Sequence, residues 1–329
     1  MAKTKIEWTA TPMPDGSALP GYTFNPWTGC TKVSPACDHC YAEAWAKRSG
    51  TVQWGNSPRR RTTETYWRQP LKWNREAAAA GRRRRVFCAS LADVFDNRAD
   101  SVWRCDLWDL IAQTPHLDWL LLTKRPQNIL SMLPDPETGV KPWGRGWPNV
   151  WLGTTVENQE EAVRRIPHLC KVPAAVRFLS CEPLLGPIDI RSACEFPGRD
   201  YGEVVIDWVI CGGESGPGAR PMHPDWTRNL RDQCDAAGVP FFFKQWGEWR
   251  EFDNGGATEE VYDEAIDRVL AAAVRPAFVT QDARFFQNSD DVPIDTPARL
   301  IERVGKKAAG AMLDGREHRA FPDQHLSSV

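Results

Sequence analysis

Val86-Phe87-Cys88-Ala89-Ser90-Leu91 and, further on, Trp119-Leu120-Leu121-Leu122-Thr123 are two short apolar runs with a helical pattern between them. Each run has the length and side chains of a buried strand. Asp100 or Ser101 can cap the intervening helix, which continues through Ala112 with Leu107, Leu110 and Ile111 on one side and Pro115 closing it. Strand, helix and strand in this order make a crossover unit with parallel strands.

The unit recurs along the chain. Pro126 opens a short helix over 126–133, and a Pro/Gly/Trp-rich loop over 134–148 leads to a strand at 150–154. Asn158 with Glu161 forms a box-like helix start, and further strands follow at 176–180, 208–211 and 240–244. A helix over 225–237, stopped by Gly238, separates the last two. Before all of these, 23–27 reads as an extended piece, 41–48 as a helix rich in alanine, and 70–80 as a helix ending at Gly81. Six or seven strands alternating with helices predict an α/β protein with a parallel sheet. We expect a partial or complete (β/α) TIM-like barrel with an additional C-terminal segment; an open doubly wound sheet is the alternative. Asp93, Lys124, Glu157, Glu182, Glu214 and Lys244 each fall close to the C-terminal end of a strand. In a barrel those ends converge on one mouth. The barrel domain with its cysteine loop is assigned to 1–250. Residues 251–329 are assigned to an insertion and tail packed on it: 251–295 is acidic and turn-rich with one amphipathic helix over 258–273, and the tail carries a basic segment over 303–310 whose side chains could reach an anionic ligand.

The chain has 329 residues, 42% of them hydrophobic and 26% charged, as expected of a soluble globular protein. A formal net charge of -2 argues against bulk affinity for nucleic acid while leaving room for a local basic groove. The start of the chain has no apolar signal-peptide core, and no apolar run approaches the roughly 20 residues that span a bilayer. The ten cysteines are therefore read as reduced thiols in a cytoplasm, that of a bacterium or of a phage-infected host cell. Sixteen tryptophans are expected to line the core or brace loops, or to stack on bases near a cleft.

The chemistry concentrates in the stretch from Gly29 to Tyr41, GCTKVSPACDHCY. Cys37 and Cys40 have the spacing that lets two thiolates reach one metal from a single turn, and Cys30 can return across Pro35 as a third. Structural zinc sites close with four protein ligands, so three thiolates point to a cluster or metal with one open position. The competing reading is a zinc knuckle completed by His39 or a distant cysteine, within a nonenzymatic module that binds nucleic acid or a partner protein. Cys88, Cys105, Cys170 and Cys234 read as small core residues. Cys211-Gly212-Gly213-Glu214-Ser215-Gly216-Pro217-Gly218 offers backbone amides and a carboxylate able to hold an amine, or else a plain turn. The arginine runs at 59–61 and 82–85 read as solvated faces, with phosphate contact as the functional alternative.

Several stretches together resemble a phage-associated three-Cys-motif family of uncharacterised proteins. They are KIEWT from Lys5, NPWTGC from Asn25, CDHCYAE from Cys37, CGGESG from Cys211, KQWGEW from Lys244 and the segment from Arg303 to Gly310. That family in turn resembles the radical S-adenosylmethionine (radical SAM) enzymes, with the nucleic-acid repair lyases among them as an analogy. The resemblance implies a 4Fe-4S cluster on Cys30, Cys37 and Cys40, with S-adenosylmethionine on the fourth iron. It further implies a 5′-deoxyadenosyl radical acting on a nucleotide or nucleic-acid base. Gly212, Gly213, Glu214, Ser90, Asp93, Thr154, Glu182 and Tyr41 are the expected cofactor-binding residues, with Thr155 beside them. A reductase or flavodoxin-like electron donor and a neighbouring-gene protein are the expected partners. The gap between the first two cysteines is six residues here, where the common radical pattern has three, and Gly212-Gly213-Glu214 comes late in the chain.

Overall fold

Strands covered on both faces read as nearly continuous apolar runs, because neither side meets water. Seven such strands form the central sheet of the computed structural model, which describes residues 4–134, 141–194, 206–252, 276–288, 291–293 and 296–322. They are β1 (Tyr22–Phe24), β2 (Arg84–Cys88), β3 (Leu117–Thr123), β4 (Val150–Thr155), β5 (Val176–Cys181), β6 (Trp208–Gly212) and β7 (Phe241–Gln245). Every neighbouring pair is parallel, and the order in the sheet is the order in the chain. Among the described residues β1 and β7 do not pair, so the sheet is a curled half-barrel, the partial form of the expected architecture.

The helices that cover its outer face begin and end on local chemistry. Those used below are α1 (Tyr41–Ser49), α2 (Gln69–Ala79), α3 (Ser101–Ala112), α4 (Gln159–Cys170) and α5 (Pro224–Ala237). Asp100 caps α3 by accepting from the Val102 amide, and Asn158 caps α4 by accepting from Glu161. Gly238 closes α5 in the left-handed region at φ 67°. The outer face of the sheet, with Val86, Trp119, Leu121, Leu152 and Val209, packs under these helices in the main core.

Alternate residues on the same strands face inward. Phe87, Leu120, Trp151, Phe178, Trp208, Ile210 and Phe242 make a second apolar cluster with Trp8. Gly153 is needed there, since a Cβ would come within 2.4 Å of the Phe178 ring. Toward the N-terminal ends of the strands this cluster forms a floor. The Arg85 guanidinium sits 4.8 Å from the Trp151 ring and 4.6 Å from that of Phe321, and donates to the Ala10 carbonyl at 2.7 Å.

This corrects the reading of the arginine runs. β2 begins two residues before the apolar run and ends at Cys88, so Arg84 and Arg85 are buried strand residues. Arg84 lies over the Tyr22 ring, and Arg59 is buried on Asp96. The long aliphatic stems suit these positions, and the charged heads meet rings, carbonyls and a carboxylate, although Arg84 Nε and Arg85 Nε and Nη2 have no hydrogen-bond partner among the described residues. Two further boundaries differ. The segment after Pro126 forms two 3-10 turns, Pro126–Asn128 and Leu130–Met132, and Trp27–Thr28 leaves the sheet to pair with Arg60–Arg61.

Beyond β7 the chain makes a four-stranded antiparallel sheet from β8 (Trp249–Glu251), β9 (Pro276–Thr280), β10 (Phe285–Phe286) and β11 (Ala298–Arg303), in the order β8-β11-β9-β10. The helix expected over 258–273 lies outside the described residues. No helix among the described residues is long and apolar enough to cross a membrane.

Candidate metal centre

The cysteine loop is the connection from β1 to α1, which places it at the C-terminal end of the sheet. Leaving β1, the chain is fixed by Asn25, whose side-chain oxygen accepts from the Leu91 amide at 2.7 Å and whose amide reaches Ser90 Oγ at 3.2 Å. A 3-10 turn at Pro35–Cys37 then reverses the chain, and Cys40 immediately precedes α1. Pro35 suits the first position of that turn because its ring fixes φ and no amide is left over.

Four charged side chains from distant elements hold this loop. Arg125, just after β3, donates to the Thr31 carbonyl at 2.9 Å, lies 3.5 Å from Cys30 Sγ, and pairs with Asp93 at 3.0 Å. Arg59 donates to Thr31 Oγ1 at 2.7 Å. Glu157, after β4 and fully buried, accepts from the Ala36 amide at 3.1 Å and from Arg165 at 2.9 Å. Arg220 donates to the Pro35 carbonyl at 2.9 Å and to Asp38 at 3.2 Å. The loop is thus gripped on both sides of Cys37.

Cys30, Cys37 and Cys40 all line one cavity of about 500 Å³. Its wall is the inner face of the sheet near the strand ends: Thr23, Phe87, Leu122, Thr155, Ser180 and Lys244. Among the described residues no three His, Cys, Asp or Glu side chains are gathered into the shell of a single ion. The thiols share a cavity without forming a closed site. Burial, with the Asp93 carboxylate second, pushes the Cys30 thiol up to about 11, while Arg125 works against both. Coordination to a metal would remove that proton outright.

Of the expected cofactor residues, Ser90, Asp93, Tyr41, Glu182, Gly213 and Glu214 line the cavity. Thr154 and Gly212 do not: Thr154 Oγ1 donates to the Thr123 carbonyl inside the sheet, and Thr155 lines the cavity in its place. Several of the six already have partners. Asp93 accepts from Thr123 Oγ1 at 2.7 Å and from Arg125, and Glu182 accepts from Lys244 at 2.6 Å and Gln245 at 3.2 Å. Tyr41, 61% exposed, donates from its hydroxyl to the Ser90 carbonyl at 2.7 Å, spanning the loops after β1 and β2. Glu214 accepts from the Arg220 amide at 2.8 Å, from its Nε at 3.0 Å and Nη2 at 2.7 Å, and lies 2.9 Å from His39 Nδ1. Burial alone would raise its carboxyl; the Arg220 donors, with His39, hold it below the ordinary range. The Glu214–Arg220 pair therefore clasps the cysteine loop at Pro35, Asp38 and His39.

Gly213 serves the same junction. A Cβ there would come within 1.9 Å of the Trp246 carbonyl oxygen, and one on Gly247 within 2.1 Å of the Glu214 carbonyl oxygen. The two glycines let the loops after β6 and β7 cross backbone on backbone. Arg125 and Arg220, which sequence reasoning passed over, and His39, weighed there only as a zinc ligand, act on partners far along the chain. Their only local signal was a charge close to a strand end or to a cysteine.

Fold and site together define an α/β half-barrel with a three-cysteine loop at the mouth formed by its strand ends. By sequence the chain belongs to the family described as protein of unknown function (DUF5131), whose model matches residues 3–322. A search of curated proteins found no match. Among solved structures, the chain is similar to a double mutant of spore photoproduct lyase with bound AdoMet and dinucleoside spore photoproduct. The TM-score is 0.39 at 10% identity, over 82% of this chain and 76% of that one. A single mutant of the same lyase with the dinucleoside spore photoproduct has a TM-score of 0.39 at 12% identity, over 76% of this chain and 72% of that one.

Proposed function

We propose that the protein is an iron–sulfur enzyme of the radical S-adenosylmethionine type acting on a nucleotide or nucleic-acid base. The observation that carries this reading is the placement of three thiols of one loop on a single cavity at the C-terminal mouth of a parallel half-barrel. That mouth is where barrel folds keep their chemistry. The residues fit the group: three thiols leave one coordination position to a non-protein ligand, and the cavity falls within the usual 300–1,000 Å³ of ligand sites.

When bound, a reduced 4Fe-4S cluster would supply the one electron that breaks the C5′–S bond of S-adenosylmethionine, leaving methionine and a 5′-deoxyadenosyl radical able to take hydrogen from the substrate. Cys30, Cys37 and Cys40 would hold the cluster. Arg125, Glu157 and Arg220 fix the loop that presents them. Ser90, Thr155, Ser180 and the backbone at Gly213 offer polar contacts for the amino-acid and ribose parts of S-adenosylmethionine. Phe87 and Leu122, backed by the aromatic floor, keep the inner wall dry and so protect a radical from water. A flavodoxin-class donor would provide the electron.

Metal and acid-labile sulfide analysis of anaerobically prepared protein tests the reading. Iron and sulfide are expected in wild type and in Cys105→Ala, and a fall to background in Cys37→Ala. Stoichiometric zinc without sulfide would replace the enzyme reading with that of a zinc module.

A further inference from the structure

The charges of the cavity do not cancel. Five cationic side chains line it, Lys32, Lys124, Arg125, Lys244 and Lys306, against three carboxylates, Asp93, Glu182 and Glu214. Each carboxylate is already countered: Asp93 by Arg125 at 3.0 Å, Glu182 by Lys244 at 2.6 Å, and Glu214 by Arg220 at 2.7 Å. Lys32 is paired with Glu43 at 3.4 Å. Among the described residues, Lys124 and Lys306 form no ion pair. The surplus is therefore two positive charges, carried by two particular side chains.

Both are held in place by their backbones. The Lys124 amide donates to Asp93 at 3.2 Å, which fixes it at the end of β3. Lys306 follows Gly305, whose amide donates to the Glu248 carbonyl at 3.0 Å; the Val304 amide donates to the same oxygen at 3.1 Å. Glu248 in turn accepts from the Gly216 amide at 2.9 Å, which ties the segment after β11 to the loop that clasps the cysteines. Two lysines from opposite parts of the chain are thus brought to one cavity with their charges unspent. The proposed cofactors would not neutralise them. A cluster in its 2+ state on three thiolates is singly negative, and S-adenosylmethionine, with a sulfonium and a zwitterionic amino acid, is singly positive.

Resting on the reading above, we propose that Lys124 and Lys306 form a phosphate seat that anchors the substrate beside the cysteine loop. A phosphate monoester nearly matches a pair of ammonium groups in charge and a diester neutralises one of them, and contacts of this kind position a nucleotide without reading its base.

The test uses the full-length chain after anaerobic reconstitution. Binding of a short fluorescein-labelled single strand is followed by anisotropy across a salt series, with an unlabelled nucleoside monophosphate and its nucleoside as competitors. Lys124→Gln and Lys306→Gln should each weaken strand binding about five- to tenfold and lower the salt slope by about 0.7. The nucleoside should compete equally in all variants. Lys72→Gln, on the exposed side of α2, should leave every value unchanged. A loss confined to the strand assigns the seat to an internal phosphodiester, and an equal loss for the monophosphate assigns it to a terminal phosphate; both support the seat. Unchanged affinities and slopes in both lysine variants overturn it, as does a cluster-loaded wild type that binds neither strand nor monophosphate. Lysine-dependent binding by a protein without iron and sulfide would leave the seat standing and remove the iron–sulfur reading.

Discussion

His223 shows how one buried side chain makes this fold sensitive to acid. It precedes α5 and caps it, its Nδ1 accepting from the Asp225 amide at 3.1 Å, a bond that requires the neutral ring. Burial pushes it down to about 4, with the Asp225 carboxylate opposing. In the unfolded chain the ring takes its proton near 6.5. As the pH falls from about 6.5 toward 4, the unfolded chain therefore binds a proton that the folded one refuses. Stability present above that window is lost, up to about 3 kcal/mol. His223→Asn keeps a capping oxygen and removes the titration. Urea midpoints measured against pH should fall less steeply on the acid side for the variant than for wild type. Parallel curves would show that His223 does not carry the effect. Asp118, whose carboxyl burial pushes up to about 6, acts in the opposite sense and is common to both proteins, so it drops out of the difference. At this scale the gathering of Cys30, Cys37 and Cys40 at one cavity was legible because they lie within eleven residues. His223 was not, since nothing in a single histidine before Pro224 says whether water reaches it.

The element that matters most is the loop from β1 to α1, and its rigidity is borrowed. Arg220 reaches it from the segment after β6, 185 residues from Pro35 along the chain, and Arg125 from just past β3, 94 residues from Thr31. Outer contacts of this kind orient ligands, and their loss commonly lowers metal affinity tenfold or more. Arg220→Ala strips the buried Glu214 carboxylate of its guanidinium donors and should lower the unfolding free energy from urea titration by about 1–3 kcal/mol. It should also speed the stripping of iron by a chelator about tenfold. Equal stripping rates would mean that the loop holds its shape without the clasp. The strands themselves were legible as apolar runs, but their starts were not always. β2 opens on two arginines that only the aromatic floor and the Tyr22 ring make tolerable, and no local pattern announces a cation–π partner more than sixty residues away. The 211–218 glycine segment was legible as a place of close approach. What requires glycine at 213 is the Trp246 backbone, and that can be known only once β6 and β7 are side by side.

Over the whole molecule, the two ends of the half-barrel divide the work. The N-terminal ends of the strands are sealed by Arg85 of β2 with Trp8 and Phe321 from near the two ends of the chain, and Trp208 donates to the Ala320 carbonyl at 2.9 Å. The C-terminal ends stay open and collect the cysteine loop, the Glu214–Arg220 clasp and, from beyond the second sheet, Lys306. The parallel order of strands was readable from the repeated strand–helix pattern, because a crossover of that length permits little else. The C-terminal segment was readable only as basic side chains able to reach an anionic ligand; its route to the cavity, through backbone bonds from Val304 and Gly305 to Glu248, leaves no mark on composition. The central claim is that this mouth holds a cluster that cleaves S-adenosylmethionine. Its most direct test is chromatographic quantification of 5′-deoxyadenosine after the reconstituted, anaerobically reduced protein is incubated with S-adenosylmethionine. Release from wild type, with none from Cys37→Ala, is the predicted result; a wild type that carries iron and sulfide yet forms no 5′-deoxyadenosine would contradict it.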